Sequence, residues 1–304
     1  MAPDVPTTHT LVPDILVVGN ACIDRQLPAP GAAEALAVER LGGASAFAAQ
    51  VAAQAGAQVG MVAASAENFS RLQALGTQPG IWLKAQTCAA TTVFEVYGSG
   101  PGQTRRERVI SAAQPLSAGA VPAAWAAAPV AYVAPVLDEC TGAMVAALRS
   151  PIVVVGAQGW LRRYDVDGWV QFAETAEFVR PPGNVTAMIF SEADHPQAYA
   201  AATDLSSKGI LVVLTQSSQG GLIFVPRSRR PQRYRAVAAT ERDTTGAGDC
   251  FGVIFALALS QKRSVKVAAS LAAQAAARVV EGPELGSLPQ ANLPLLFQDA
   301  RKSA

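Results

Sequence analysis

Histidine is scarce in this chain: there are two, His9 and His195, far apart in sequence. A His-based triad or a zinc hydrolase centre needs imidazoles that converge, so the sequence disfavours both. The four cysteines, Cys22, Cys88, Cys140 and Cys250, form no C-x-x-C pair. That spacing implies neither a zinc site nor a disulfide framework, and reduced thiols in a cytoplasmic setting are the simple expectation. Charge is also sparse, at 15% of residues with a formal net of +1, which gives no global attraction to nucleic acid or to an anionic membrane. No apolar run reaches the roughly eighteen residues of a membrane span. The polar, Pro-rich residues 1–13 lack the basic start and apolar stretch of a signal peptide. Two phosphate-binding patterns are missing as well. There is no G-x-x-x-x-G-K-[ST] loop, and Phe251 stands where a dinucleotide fingerprint beginning at Gly246 would need its third glycine.

What is present is an apolar chain. Half of its 304 residues are hydrophobic, which excludes disorder and allows a large core. Short apolar runs at 15–19, 58–63, 130–134, 152–155, 177–179, 187–190 and 211–214 read as strands. Helical patterns fall at 45–55, 67–75, 138–149, 165–175, 192–207, 246–260, 264–280 and 290–299. Such alternation predicts a mostly parallel sheet with helices on both faces. The β-branched run Thr91–Tyr97 and residues 104–110, joined by a Gly-rich turn at 98–102, predict a hairpin. With no repeat or linker, the expectation is one domain over 1–304, with a small β lid near 22–41 and 88–111.

The stretch Asp243-Thr244-Thr245-Gly246-Ala247-Gly248-Asp249 precedes the almost wholly apolar helix that runs on from Cys250. Glycines let the backbone approach a ligand, and the free N–H groups of a helix start bind phosphate. Asp249, in the first turn, is expected to be ionised at neutral pH and able to accept a proton. Two further loops follow predicted strands, at the carboxyl ends where open α/β sheets bind ligands. Asn20 to Asp24 follows the first strand; Gln158 and Arg162 follow the strand at 152–155. Gly42 and Gly43 open the next helix, with Ser45 as its expected N-cap. Arg105, Arg106 and Arg108 either reach phosphate or, as the favoured reading, form a solvated strand edge, and Arg227 to Arg235 reads as a solvated hairpin.

The 243–249 stretch resembles the C-terminal signature of the ribokinase-like, or PfkB, carbohydrate kinases, and the resemblance extends over residues 14 to 285. It implies an α/β three-layer sandwich with a mostly parallel central sheet and a small β lid. It implies ATP-dependent phosphorylation of a small polyol or sugar, with Asp249 as base and the amides of Gly246, Ala247 and Gly248 as anion hole. Asp24, Asn20, Gly42, Gly43, Gln158 and Arg162 would then hold the substrate. Thr215, Gly220, Thr244, Gly246 and Gly248 would line the nucleotide, and Asp194 would reach Mg2+ through water. The family also implies a monovalent cation near residues 281–284 in some members and a homodimer through the lid. Gly19-Asn20, Asp24, residues 41–47, Thr91 to Phe94, and Gln158 with Arg162 are similar to the myo-inositol kinase branch. Gly156 stands where that branch would carry an Asp. Ser191 replaces an Asn, and Gln216 and Ser217 replace Lys and Gly. The alternatives are a nucleoside kinase, with Phe47 stacking on a base, and a degenerate kinase fold that only binds its ligand.

Overall fold

The computed structural model describes residues 8–27, 38–98 and 105–282. In chain order the strands are β1 (Ile15–Val18), β2 (Cys22–Gln26), β3 (Val38–Gly42), β4 (Val59–Ser65), β5 (Ile81–Thr87), β6 (Thr92–Tyr97), β7 (Arg106–Ser111), β8 (Val130–Val133), β9 (Ile152–Gly156), β10 (Arg162–Tyr164), β11 (Val170–Phe172), β12 (Ala187–Ser191), β13 (Leu211–Thr215), β14 (Gly221–Phe224) and β15 (Gln232–Tyr234). The helices are α1 (Ala44–Gln54), α2 (Ser70–Gly76), α3 (Gly142–Ala146), α4 (Ala176–Val179), α5 (Ala198–Ser207), α6 (Ala247–Ser260) and α7 (Val265–Glu281).

Nine strands form one sheet in the order β15-β14-β13-β12-β9-β8-β1-β4-β5. All neighbours are parallel except β13–β14 and β14–β15, which are antiparallel. Apolar runs such as Ile15–Val18 and Val130–Val133 are buried throughout, because helices cover both faces. On one face α1, α6 and α7 pack over Ile15, Val17 and Tyr132; on the other, α3, α5 and Trp125 pack over Leu16, Val18 and Val133. The four-stranded lid, β3-β2-β6-β7, pairs β2 with β6 in parallel and is antiparallel elsewhere. Strands β1, β9, β12 and β13 all end on the edge of the sheet that faces this lid, and the loops that follow them build the site.

Several expectations are corrected. Residues 165–175 form no helix. Residues 162–172 are the β10–β11 hairpin, turned by Asp165, whose Oδ1 accepts from the N–H groups of Asp167 and Trp169, and by Gly168. The Asp-Gly turn outweighs the helical spacing of the apolar residues. Glu177–Val179 is helical rather than extended, because the Thr175 hydroxyl caps the Phe178 N–H. The helix at 138–149 shortens to α3, capped by Thr141. The helix at 192–207 splits at Pro196 into a 3-10 turn, Glu192–Asp194, and α5. Gly43, not Ser45, is the N-cap of α1. Strand β5 was not anticipated. The helix expected at 290–299 and most of the turn at 98–102 lie outside the described residues.

Candidate active site

Helix α6 begins at Gly246, whose left-handed backbone (φ 77°) turns the chain into the helix. The preceding loop is pinned at both ends. Asp243 Oδ1 accepts from the Thr245 N–H at 2.8 Å, and the Arg242 N–H donates to the Val280 carbonyl at the end of α7. Asp243 also lies 3.9 Å from Arg40 of β3, which ties the loop to the lid. The amides of Gly246 and Gly248 have no partner among the described residues, whereas the Ala247 N–H is turned back to the Thr244 carbonyl at 3.2 Å. Two amides, rather than the expected three, are open to an anion.

Thr244, Thr245, Gly246, Gly248 and Asp249 line a cavity of about 350 Å³ between the sheet and the lid. Asp24, Gly43, Gln158, Arg162, Asp194 and Thr215 line the same cavity, so residues from six separated stretches converge. The Asp249 carboxyl is pushed up to about 7, mainly by burial; Asp194 and Asp24 add to the rise, and Arg162 and Arg105 oppose it. The expectation of a fully ionised Asp249 is thereby corrected, because desolvation outweighs the helix terminus.

Asp24 projects from β2 against Gly42 of β3, where a Cβ would overlap its carboxyl group. It accepts from the Cys22 thiol at 3.2 Å, and burial raises its pKa despite that bond and Arg105. Gly43 has φ 98°, and a Cβ there would stand 2.5 Å from the Asn20 carbonyl. The paired glycines are thus demanded by close packing of β2, β3 and the loop after β1, and Gly43 also opens onto the cavity. Asn20 is fully buried and does not line the cavity; its Oδ1 accepts from the Ala64 N–H and its backbone N–H donates to Glu139, while its Nδ2 has no partner among the described residues. Glu139, itself buried, also accepts from Val136 and Leu137 and so fixes the loop after β8.

Arg105 was read as a solvated edge, yet it reaches the cavity. Its Nε donates to Glu107 Oε1 at 2.7 Å, and Arg162 donates to the other oxygen, Oε2, at 2.9 Å. Burial pulls the Glu107 carboxyl upward, but Arg162 and Arg105 together outweigh it and hold it below the usual range. This carboxylate joins the lid to the strand-end loop that carries Arg162. Arg106 and Arg108 instead stack on Trp169, at 4.3 and 6.0 Å from the ring centre. Glu107 escaped the sequence reading; its one signal was an acid inside a run of three arginines.

The opposite wall is differently engaged. Asp194 Oδ2 accepts from the Ser191 N–H at 2.8 Å and the Ser191 hydroxyl accepts from the Ala193 N–H, a reciprocal cap. Gln158 approaches Asp194 at 3.4 Å. Gln216 donates to Glu192 at 2.9 Å, and Gly220 shapes the tight loop behind Thr215 without lining the cavity. Among the described residues, no group of three or more His, Cys, Asp or Glu side chains is placed to hold a metal ion, and no helix is long and apolar enough to cross a membrane.

Residues 172–291 match the pfkB family of carbohydrate kinases. No curated protein sequence matches the chain. Among solved structures, a pyrophosphate-dependent kinase of the ribokinase family, complexed with a pyrophosphate analogue and myo-inositol, superposes with a TM-score of 0.75 at 16% identity, over 91% of this chain and 98% of that one. Arabidopsis thaliana ribokinase complexed with ribose and ATP gives 0.68 at 19%, over 94% and 99%. The adenosine kinase of Sinorhizobium meliloti gives 0.69 at 18%, over 96% and 99%. The chain therefore has the fold of the ribokinase-family kinases, and the part of it that carries Asp243 to Asp249 matches the pfkB carbohydrate kinases.

Proposed function

We propose that this chain transfers a phosphoryl group from ATP to a hydroxyl of a small polyol or sugar, an inositol-like ring being the favoured acceptor. The observation that carries this reading is Asp249: a partly buried carboxyl with a pKa raised to about 7, beside two open amides, in a cavity shared with Asp24. Asp24, Gly43, Gln158 and Arg162 orient the acceptor. Asp249 takes the proton from the attacking oxygen as that oxygen bonds to phosphorus and the bond to the leaving diphosphate breaks. The Gly246 and Gly248 amides stabilise charge on the phosphoryl group in flight. Thr215 and Thr244 flank the donor phosphates. Mg2+, when bound, neutralises donor phosphate charge; Asp194, which lines the cavity, is suited to a water-mediated contact with it. Closure by the lid excludes water, the competing acceptor. A homodimer through the lid belongs to the same reading and is checked by mass in solution.

A second donor is favoured by one observation. Gln216 is held by Glu192 and Gly220 lies off the cavity, so the loop after β13 presents only Thr215 to a donor. Pyrophosphate needs no more than a phosphate cradle, and the similar structure bound to a pyrophosphate analogue uses it. The test is phosphoryl transfer from ATP or from pyrophosphate to myo-inositol, free sugars, sugar phosphates and nucleosides. Turnover of one acceptor class, lost in Asp249→Asn, supports the kinase. Preference for adenosine would replace it with a nucleoside kinase. Ligand binding with no transfer from either donor would make the protein a binding module.

A further inference from the structure

Tyr132 is the third residue of β8, in the middle of the main sheet, and is 2% exposed. Its ring reaches the cavity and lines it together with Asp249. The phenol oxygen lodges between Gly156, the last residue of β9, and Gly252, three residues beyond Asp249 on α6. A Cβ on Gly156 would stand 2.5 Å from that oxygen, and one on Gly252 would overlap it. Both glycines are therefore spaces kept for the hydroxyl. A buried phenol ordinarily finds a hydrogen-bond partner. This one has none among the described residues, the nearby Asp249 carboxylate included, and its oxygen is not sealed off but opens onto the cavity. Phenylalanine would fill the ring's space without an unpaired O–H, so packing does not account for the oxygen. Burial, followed by the charge of Asp249, raises the phenol pKa and keeps it protonated and hence a donor.

We propose that Tyr132 binds the acceptor: its phenol donates a hydrogen bond to a hydroxyl oxygen of the polyol or sugar beside the one that Asp249 deprotonates. The assignment rests on the phosphotransferase reading above. It makes Tyr132 a specificity residue, because an acceptor without that hydroxyl leaves the phenol unpaired and binds less well.

The experiment compares wild type, Tyr132→Phe and Asp249→Asn. Calorimetric binding and steady-state rates are measured with myo-inositol, its deoxy analogues, ribose and adenosine. Tyr132→Phe is expected to weaken binding of the preferred acceptor and raise its KM by about tenfold. The donor KM should stay within about twofold and the melting temperature should not fall. One deoxy analogue should bind wild type and Tyr132→Phe alike, because the bond is already missing. Gly156→Ala, which crowds the phenol from β9, should give the same acceptor-selective loss. Acceptor affinities within twofold in Tyr132→Phe, alongside lost turnover in Asp249→Asn, would overturn the assignment and leave the kinase standing. A wild type that neither binds nor phosphorylates any acceptor would overturn both.

Discussion

The two walls of the cavity are finished differently. On the wall built by β8 and α6, the Asp249 carboxylate, the Tyr132 phenol and the amides of Gly246 and Gly248 lack partners among the described residues, while Asp24 of the adjoining β2 accepts from Cys22. On the wall built by the loops after β12 and β13, the polar groups are largely spoken for. Asp194 caps Ser191, and the Gln216 Nε2 donates to Glu192, although its Oε1 has no partner among the described residues. Open polar groups in a buried place cost stability and are kept where a ligand completes them. The contrast leaves the first wall with more polar groups free to meet a ligand than the second.

The largest effect should come from the open wall. Asp249→Asn is expected to lower turnover by on the order of 10²–10⁴. The same change should stabilise the fold. The native carboxyl keeps its proton up to about 7, while the unfolded one loses it near 3.8. Stability therefore falls as pH rises between those values, and the full burden is present above 7. Removing it should be worth up to about 4 kcal/mol above pH 7, read by denaturant melts at pH 5 and 8. Equal stability of the two proteins at pH 8 would remove the idea of a strained base. Next, kcat/KM of the wild type should climb through about pH 7 as Asp249 deprotonates, by about tenfold per pH unit below that value; a flat profile from pH 5 to 8 would assign the base elsewhere. Glu107→Gln leaves Arg105 and Arg162 without their shared anion and should cost about 2 kcal/mol. Because its native pKa is depressed, this contribution exists above the unfolded pKa and fades as pH falls through the native one. Acid melts in which wild type and variant diverge below pH 4 instead of converging would contradict it. The smallest effect belongs to the satisfied wall. Asp194→Asn should cost about 1 kcal/mol as a lost cap. It should raise the Mg2+ needed for half-maximal rate while the saturated rate stays within about tenfold. A loss as deep as that of Asp249→Asn would abolish the contrast between the walls.

The sequence made the layered α/β fold legible because fully buried strands such as Ile15–Val18 and Leu211–Thr215 leave unbroken apolar runs. It also made the start of α6 legible, since Gly246 is a local requirement of the turn into the helix. It failed where the deciding contact is distant. Asn20 has the chemistry of a ligand contact, yet Ala64, far along the chain, takes its side-chain oxygen and Glu139 its backbone N–H. Tyr132 reads as one more apolar strand residue until β9 and α6 bring Gly156 and Gly252 against its hydroxyl. The β10–β11 hairpin was missed because Trp169, Val170 and Phe172 also fit a helical face, and only Asp165 with Gly168 marks the turn.

Helix α6 has one further consequence. From Cys250 to Ala258 every residue is buried, so no face of it is soluble alone. Such a segment gains little from forming early and is secured only when the sheet, α1 and α7 have closed around it. Asp249 and the amides of Gly246 and Gly248, the proposed base and anion site, sit at its start, so they acquire their geometry in the last stage of assembly. Turnover should therefore recover later in refolding than far-ultraviolet dichroism, and a catalytic assay becomes a stringent reporter of complete folding.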